Sequence, residues 1–126
     1  MYELTVLGEF EAAHFIDGYA GKCQRLHGHN WTVEARVCGR ELDRLGMLID
    51  FKLLKTELNR VLDELDHRYL NELDAFSTIN PTAENLARYI FEQLAASEIF
   101  KSEAARLLSI KVNESPRSGV VYTPDN

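Results

Sequence analysis

The sequence predicts an α+β fold in which strands at both ends of the chain enclose two central helices. Residues 4–14 and 27–37 alternate between apolar and polar side chains, which is typical of half-buried strands. The stretches after Asp50 and Asn80 instead repeat apolar residues at helical spacing. Two further strands near the C-terminus complete the order ββααββ. We therefore predict a four-stranded antiparallel sheet with two helices inserted between strands two and three.

The first two strands each have one face that is largely apolar and that should point toward the core. In the first strand, Gly8 interrupts this face and predicts a bulge or a kink. The face is formed in the first strand by Leu4, Val6, Phe10, Ala12 and His14, and in the second by His27, His29, Trp31, Val33, Ala35 and Val37.

Both helices carry recognisable start signals. Asp50 is placed to cap the first helix, which should end near Asp66-His67, and Asn80-Pro81-Thr82 is typical of the start of the second. The buried stripe of the first helix should be Leu54, Leu58, Val61, Leu62 and Leu65, and that of the second Ala83, Leu86, Ile90 and Leu94.

The remaining segments are assigned more simply. Residues 69–80 read as irregular, and residues 97–105 as a short helix or a loop. A third strand should turn Leu108, Ile110, Val112 and Glu114 to one side. The final strand is expected over residues 120–123.

Composition limits the classes of function. The 126 residues fit a single domain spanning residues 1–126, and the net charge of −6 without a basic cluster disfavours nucleic acid or an anionic membrane as a partner. No apolar run is long enough to cross a bilayer, and no signal peptide is evident, so we expect a cytoplasmic protein. The open edges of a four-stranded sheet favour a homo-oligomer.

Histidine placement is the strongest functional signal. Three of the four histidines, His14, His27 and His29, occupy inward positions on the two predicted neighbouring strands. One such histidine is more often an ordinary buried or loop residue, but three in matching positions favour a metal site. Imidazole suits zinc, although iron, nickel or copper are also compatible with these ligands. Three neutral ligands leave one position of a tetrahedral ion open, which is the catalytic arrangement.

Cys23 leaves two interpretations of that site open. It could act as a fourth ligand and close a structural zinc site, or it could be a thiolate base beside the metal, activated by the cation and by Lys22 or Arg25.

A second group of candidate residues lies further along the chain. Asp66 and His67 could form an oriented acid/base pair, although a histidine at a helix C-terminus can also interact only with the helix dipole. Glu114 continues an apolar strand face, so it either points inward to recognise a guanidine-like ring edge or lies in solvent beyond the strand.

Five sequence blocks together resemble the 6-pyruvoyltetrahydropterin synthase family. They are FEAAH at residues 10–14, CQRLHGHN at 23–30, LDHRYLN at 65–71, NPTAENL at 80–86 and VNE at 112–114. The three-residue gap between Cys23 and His27 resembles the bacterial 6-carboxy-5,6,7,8-tetrahydropterin synthase branch, whereas pyruvoyl-forming enzymes of animals typically have a longer gap.

The resemblance implies a tunnelling fold (T-fold), commonly a homohexamer built as a dimer of trimers, with a pocket at the subunit interface. It implies Zn2+ as the cofactor and 7,8-dihydroneopterin triphosphate as the substrate. Lys22 and Arg25 are either contacts for that triphosphate or solvated charges of the loop. The implied site residues are the ligands His14, His27 and His29, the base Cys23, the acid/base pair Asp66 and His67, and the pterin anchor Glu114.

The implied reaction releases acetaldehyde and triphosphate to leave 6-carboxy-5,6,7,8-tetrahydropterin, a precursor of queuosine. Two alternatives stay open. The chain could form 6-pyruvoyltetrahydropterin without carbon–carbon cleavage, or it could be a zinc-stabilised assembly module that has no turnover.

Overall fold

Five strands and two helices make up the regular structure of the described residues. The computed structural model describes residues 1–19, 21 and 24–124. In chain order the elements are β1 (Tyr2–His14), β2 (His27–Gly39), α1 (Phe51–Asp63), β3 (Arg68–Tyr69), α2 (Ala83–Ala95), β4 (Arg106–Ser115) and β5 (Ser118–Tyr122). Short 3-10 turns cover Leu70–Glu72, Asp74–Phe76 and Glu98–Phe100.

The strands form one sheet in the order β3-β1-β2-β4-β5. The predicted α+β class and the four antiparallel strands are confirmed. The sheet has in addition a fifth, two-residue strand, β3, which runs parallel to β1 through the pair Ala12 and Arg68. It lies at the start of the segment predicted to be irregular, and two residues are too few to show an alternating pattern.

β1 and β2 pair without interruption from Tyr2 opposite Gly39 to His14 opposite His27. The bulge or kink predicted at Gly8 is therefore wrong, since Gly8 lies opposite Val33 in an unbroken register. A Cβ at Gly8 would lie 2.7 Å from Leu62 Cδ1. The glycine instead allows α1 to approach the sheet closely.

The sheet of the described residues has two irregularities, one between β4 and β5 from Asn113 to Ser115 and one between β2 and β4. The register shifts after Arg36, so that Leu107 lies opposite Val37 and Leu108 is the extra residue of a bulge. As a result Leu107 is buried and Leu108 is only half-buried. The predicted inward position of Leu108 is wrong for this reason, whereas Ile110 and Val112 are buried as predicted.

Both helices pack on one face of the sheet, where their apolar stripes meet the inward side chains of the strands. All five predicted residues of the first stripe are buried, and so are Leu86, Ile90 and Leu94 of the second, while Ala83 is half-buried. Trp31 is fully buried and stacks on Phe10 with ring centroids 5.8 Å apart. The opposite face is exposed and largely polar, which places Glu9 and Glu11 outside the core.

The helix caps are those that the sequence predicts. The side chain of Asp50 accepts a hydrogen bond from the backbone N–H of Lys52 at 2.9 Å. Thr82 Oγ1 accepts one from the backbone N–H of Asn85 at 3.1 Å. Within the described part of the chain, neither helix has both the length and the apolar character that crossing a membrane requires.

We expect Asp50→Ala to lower the free energy of unfolding by about 1 kcal/mol, because it removes the acceptor for an otherwise unpaired helical N–H. Urea denaturation measures this. The matched control is Asp63→Ala at the exposed end of the same helix, which should change stability by less than about 0.5 kcal/mol. Equal losses in the two variants would show that the cap contributes nothing specific.

Candidate metal centre

Three histidine side chains converge at one end of the β1–β2 pair. His14 lies directly opposite His27, and His29 lies opposite Ala12, so all three occupy the same face of the two strands. One ring nitrogen of each histidine lies within 4.8 Å of those of the other two. The ring centroids are 4.5 Å apart for His14 and His27, 4.7 Å for His27 and His29, and 5.2 Å for His14 and His29. The predicted convergence of the three imidazoles is confirmed.

Backbone carbonyls determine which nitrogens face the centre. His14 Nδ1 lies 2.7 Å from the carbonyl oxygen of Pro81, and His27 Nδ1 lies 2.7 Å from that of Arg25. A carbonyl oxygen can only accept, so each Nδ1 carries the hydrogen. In the neutral rings, each Nε2 is then left with a lone pair. Metal-binding histidines are commonly oriented in this way, by a hydrogen bond from the ring nitrogen that does not bind the metal.

The distance between the two Nε2 atoms supports a cation site. His14 Nε2 and His27 Nε2 are 2.9 Å apart. Two lone pairs at this distance repel each other, and a metal ion between them would convert the repulsion into two ligand bonds. For comparison, tetrahedral zinc with bonds of about 2.0–2.1 Å holds its nitrogen ligands about 3.3 Å apart.

His29 supplies a third ring nitrogen that could bind a metal ion. Its Nε2 is buried and has no hydrogen-bond partner among the described residues. Glu114 Oε1 lies 3.6 Å away, which is beyond hydrogen-bond distance. A buried nitrogen without a partner is costly unless something else binds it. The donor set therefore fits a metal ion with three neutral nitrogen ligands.

The environment favours the neutral rings that a metal needs. Burial lowers the pKa of His14, and the neighbouring His27 and His29 lower it further, against an opposing effect of the Pro81 carbonyl. Burial also lowers the pKa of His29, against the opposing charge of Glu114. Neutral imidazole is the form that binds a metal, so the direction of both shifts favours metal binding.

Trp31 packs against two of the three histidine rings. Its ring lies edge-on to both His14 and His29 with centroids 5.1 Å apart, and its Nε1–H donates to the Ala12 carbonyl at 3.3 Å. A buried aromatic ring with a satisfied N–H has little freedom to move. The histidine rings are thus held against a rigid surface.

Asn71 and Asn80 hold the loop after β1, a role that the sequence analysis did not predict. The amide of Asn71 both accepts from and donates to the backbone of Phe15, at 2.9 and 3.1 Å. The amide of Asn80 does the same with Asp17, at 3.0 Å in both directions. The side chain of Asn85 in turn donates to the Asn80 carbonyl at 2.8 Å. These bonds fix the position of Asn80. The carbonyl that orients His14 belongs to the next residue, Pro81.

Asp66 and His67 are locked onto the backbone of Glu11. Asp66 Oδ1 accepts from the Glu11 N–H at 2.9 Å, and the His67 N–H donates to the Glu11 carbonyl at 2.6 Å. His67 adopts the left-handed conformation with φ 57°, which turns the chain toward β1 just after α1. Asp66 Oδ2 lies 3.0 Å from His67 Nδ1.

The pKa values of Asp66 and His67 are shifted in the directions expected of an oriented acid/base pair. The hydrogen bond with Asp66 and the charge of its carboxylate raise the pKa of His67. The hydrogen bond from the Glu11 N–H, followed by that from His67, lowers the pKa of Asp66. Asp66 and His67 therefore form an ion pair with 3.0 Å between Oδ2 and Nδ1, and their acid/base role stays a prediction.

The predicted site residues do not all meet within one chain. Glu114 is half-buried beside His29, as its inward position predicts. The imidazole of His67 instead contacts the side chain of Glu11, which points away from His14 on the other face of β1. Among the described residues, no hydrogen bond or ion pair joins Asp66 or His67 to the three histidines. The predicted base Cys23 and the adjacent Lys22 lie outside the described residues.

Comparison with known proteins identifies the family. The family model for 6-pyruvoyl tetrahydropterin synthase matches residues 3–125. A 6-carboxy-5,6,7,8-tetrahydropterin synthase from Bacillus subtilis is 36% identical over 128 residues, covering 98% of this chain and 86% of the relative. One from Synechocystis is 36% identical over 118 residues, covering 90% and 86%. The structure of Caenorhabditis elegans 6-pyruvoyl tetrahydropterin synthase superposes with a TM-score of 0.85 at 30% identity, covering 98% of this chain and 96% of that one.

The fold and the site together therefore define a pterin-synthase type of protein, and the predicted T-fold is confirmed. The chain belongs to the 6-pyruvoyl tetrahydropterin synthase family and is an enzyme of that family.

We expect His29→Ala to abolish stoichiometric metal binding, because it removes one of three ligands and leaves two. Elemental analysis after dialysis against a weak chelator measures the bound metal. The matched control is His67→Asn, which removes the fourth histidine, and asparagine tolerates the left-handed backbone there. Full metal content in His29→Ala, or a loss in the control, would contradict the assignment.

Proposed function

We propose that this enzyme is a zinc-dependent lyase that converts 7,8-dihydroneopterin triphosphate and one water molecule to 6-carboxy-5,6,7,8-tetrahydropterin, acetaldehyde and triphosphate, in queuosine biosynthesis. The observation that carries the proposal is the set of three converging imidazoles, two of which have their Nδ1–H held by carbonyls. The names of the Bacillus subtilis and Synechocystis relatives support the carboxy-forming reaction.

His14, His27 and His29 would hold Zn2+ through ring nitrogens with an open fourth position. When bound, zinc supplies Lewis acidity toward the hydroxyl oxygens of the substrate side chain. The neutral state favoured for His14 and His29 suits this role because no proton has to leave before the ion enters.

Glu114 is our candidate for the pterin anchor. Its carboxylate is half-buried at the edge of the histidine cluster, 3.6 Å from His29 Nε2. A carboxylate can accept two parallel N–H bonds from the guanidine-like edge of a pterin. Anchoring the ring there would place the side chain of the substrate next to the metal site.

Proton transfer is assigned to Cys23 and His67. Cys23 would remove a proton from the substrate side chain as a thiolate, and His67 would relay protons while Asp66 fixes its ring. The hydrogen bond between Asp66 Oδ2 and His67 Nδ1 leaves His67 Nε2 as the nitrogen that can exchange a proton.

Because His67 and the histidine cluster occupy different faces of β1, we propose that each active site is completed by His67 from another copy of the chain. The outer strands β3 and β5 leave sheet edges that a second copy can pair with or cover. A homohexamer, arranged as a dimer of trimers, is the assembly we propose.

Incubation of the zinc-loaded enzyme with 7,8-dihydroneopterin triphosphate should give acetaldehyde and a product with the mass of 6-carboxy-5,6,7,8-tetrahydropterin. Prior removal of the metal by a chelator should reduce both to background, and zinc should restore them, because the ligands alone supply no Lewis acid. Mass spectrometry and an acetaldehyde assay measure the outcome.

Two other outcomes of that incubation would reject the carboxy-forming reaction. A product that keeps all three side-chain carbons, with no acetaldehyde, would identify a 6-pyruvoyltetrahydropterin synthase, which the similarity to the Caenorhabditis elegans enzyme makes the second candidate. Unchanged substrate with full zinc content would identify a zinc-stabilised assembly module.

Mixing two inactive variants tests whether the site is shared. We expect His29→Ala and His67→Asn homo-oligomers each to be inactive, whereas co-expressed mixtures should regain activity in about one quarter of their sites at equal amounts. In these sites the intact metal centre of one chain meets the intact His67 of another. Activity assays on tagged, purified mixed oligomers measure this. Mixtures that stay inactive would show that each site uses one chain only.

A further inference from the structure

Glu11 has no role in the mechanism above, yet it makes the contact that completes the surroundings of His67. Its carboxylate Oε2 lies 3.4 Å from His67 Nε2, while Asp66 Oδ2 lies 3.0 Å from Nδ1 on the opposite side of the ring. The imidazole is thus bracketed by two carboxylates, one on each nitrogen.

The relative position of these groups is fixed by the backbone. The Glu11 N–H and carbonyl are both bound, one to Asp66 Oδ1 and the other to the His67 N–H. The following residue, Ala12, pairs with Arg68 in β3. The backbones of Glu11 and His67 are thus held side by side, and the Asp66 carboxylate cannot leave the ring without breaking its bond to the Glu11 N–H.

Apart from His67 itself, the ionisable side chains that line the depression around the ring are all acidic. The depression that contains His67 has a volume of about 400 Å³ and is lined by Glu9, Phe10, Glu11, Asn30, Asp66 and His67. Among these described residues, three are acidic, and His67 is the only one that can carry a positive charge. Asp66 precedes His67 in the chain, Glu9 and Glu11 face it from β1, and Asn30 of β2 is neutral. Such surroundings stabilise an imidazolium.

We propose that Glu11 is a positioning residue for His67: together with Asp66 it holds the imidazole in its protonated form and fixes its Nε2–H at the depression. In the proposed reaction, on which this inference rests, His67 then acts as a proton donor. The incoming substrate oxygen takes the place of the Glu11 carboxylate beside Nε2 and accepts its hydrogen, and the proton moves from Nε2 to the oxygen.

The direction of the pKa shift agrees with this geometry. The pKa of His67 is raised chiefly by Asp66 and to a smaller extent by the charge of Glu11. Removing the Glu11 charge should therefore lower the pKa of His67 without removing the larger effect of Asp66. Because both side chains are well exposed, the contribution of Glu11 should also weaken as salt is added.

A titration of His67 in the zinc-loaded oligomer tests the inference without relying on turnover. Histidine labelled with carbon-13 at Cε1 gives an NMR signal for His67, identified by its loss in His67→Asn. We expect the titration midpoint to be lower in Glu11→Gln than in the wild type and largely restored in Glu11→Asp. The matched control is Glu9→Gln, which removes an acidic side chain of the same depression that makes no ion pair with His67, and its shift should be smaller.

The pH dependence of kcat/KM, which reports the free enzyme, links this titration to the reaction. In Glu11→Gln the alkaline limb of kcat/KM should move to lower pH by the same amount as the titration midpoint, with kcat/KM reduced roughly two- to fivefold, the scale of one exposed charge pair. KM should change little, because Glu11 is replaced by the substrate oxygen and does not hold the pterin.

The outcomes separate the two proposals. An unchanged His67 midpoint in Glu11→Gln, or an equal shift in Glu9→Gln, overturns the role of Glu11 whatever the activity of the variants. A lowered midpoint with an unmoved alkaline limb supports the contact between Glu11 and His67 but overturns the assignment of His67 as a proton donor in the proposed function.

Discussion

The convergence of the three imidazoles depends on hydrogen bonds to backbone carbonyls. The Pro81 and Arg25 carbonyls each take an Nδ1–H, and this alone decides that two Nε2 lone pairs face each other at 2.9 Å. The third nitrogen, that of His29, is buried without a partner. The protein thus bears an electrostatic cost at this point of the fold, and a bound cation would relieve it. The rest of the site is arranged around this requirement.

The same β1 strand organises two chemical groups that do not meet. Its inward side carries His14 into the cluster, while its outward Glu11 bonds to the Asp66-His67 turn through backbone and side chain. Alternation along one strand places the candidate metal ligands and the proposed proton-transfer residues on opposite faces of the sheet. Association of identical chains is a simple way to bring one group of one copy against the other group of the next. The open edges of the sheet provide surfaces for such association.

Local and periodic features could be predicted from the sequence. The caps at Asp50 and Thr82 and the stripes of both helices follow from spacing within a few residues, and the inward phase of the histidines follows from strand alternation. These features depend only on residues that are close together in the sequence, so the sequence alone is enough to predict them.

Features that depend on distant partners could not be predicted. Asn71 and Asn80 bond to backbone groups 56 and 63 residues away, and nothing near them in sequence marks those partners. The bulge that turns Leu108 outward is a property of two strands paired across the sheet. Gly8 was misassigned for a similar reason, because the group that needs its space is a leucine on the packed helix. The contact of Glu11 with His67 likewise arises only when β1 and β3 are adjacent.

X-ray absorption at the zinc edge tests the metal centre most directly. Three protein nitrogens at about 2.0–2.1 Å and one light-atom ligand that exchanges with added anions are the result we predict for the zinc-loaded enzyme. A persistent sulfur ligand at about 2.3 Å would show that Cys23 closes the shell, and fewer than three imidazoles would show that the trio does not bind the ion. Either of those results would contradict a catalytic zinc held by His14, His27 and His29.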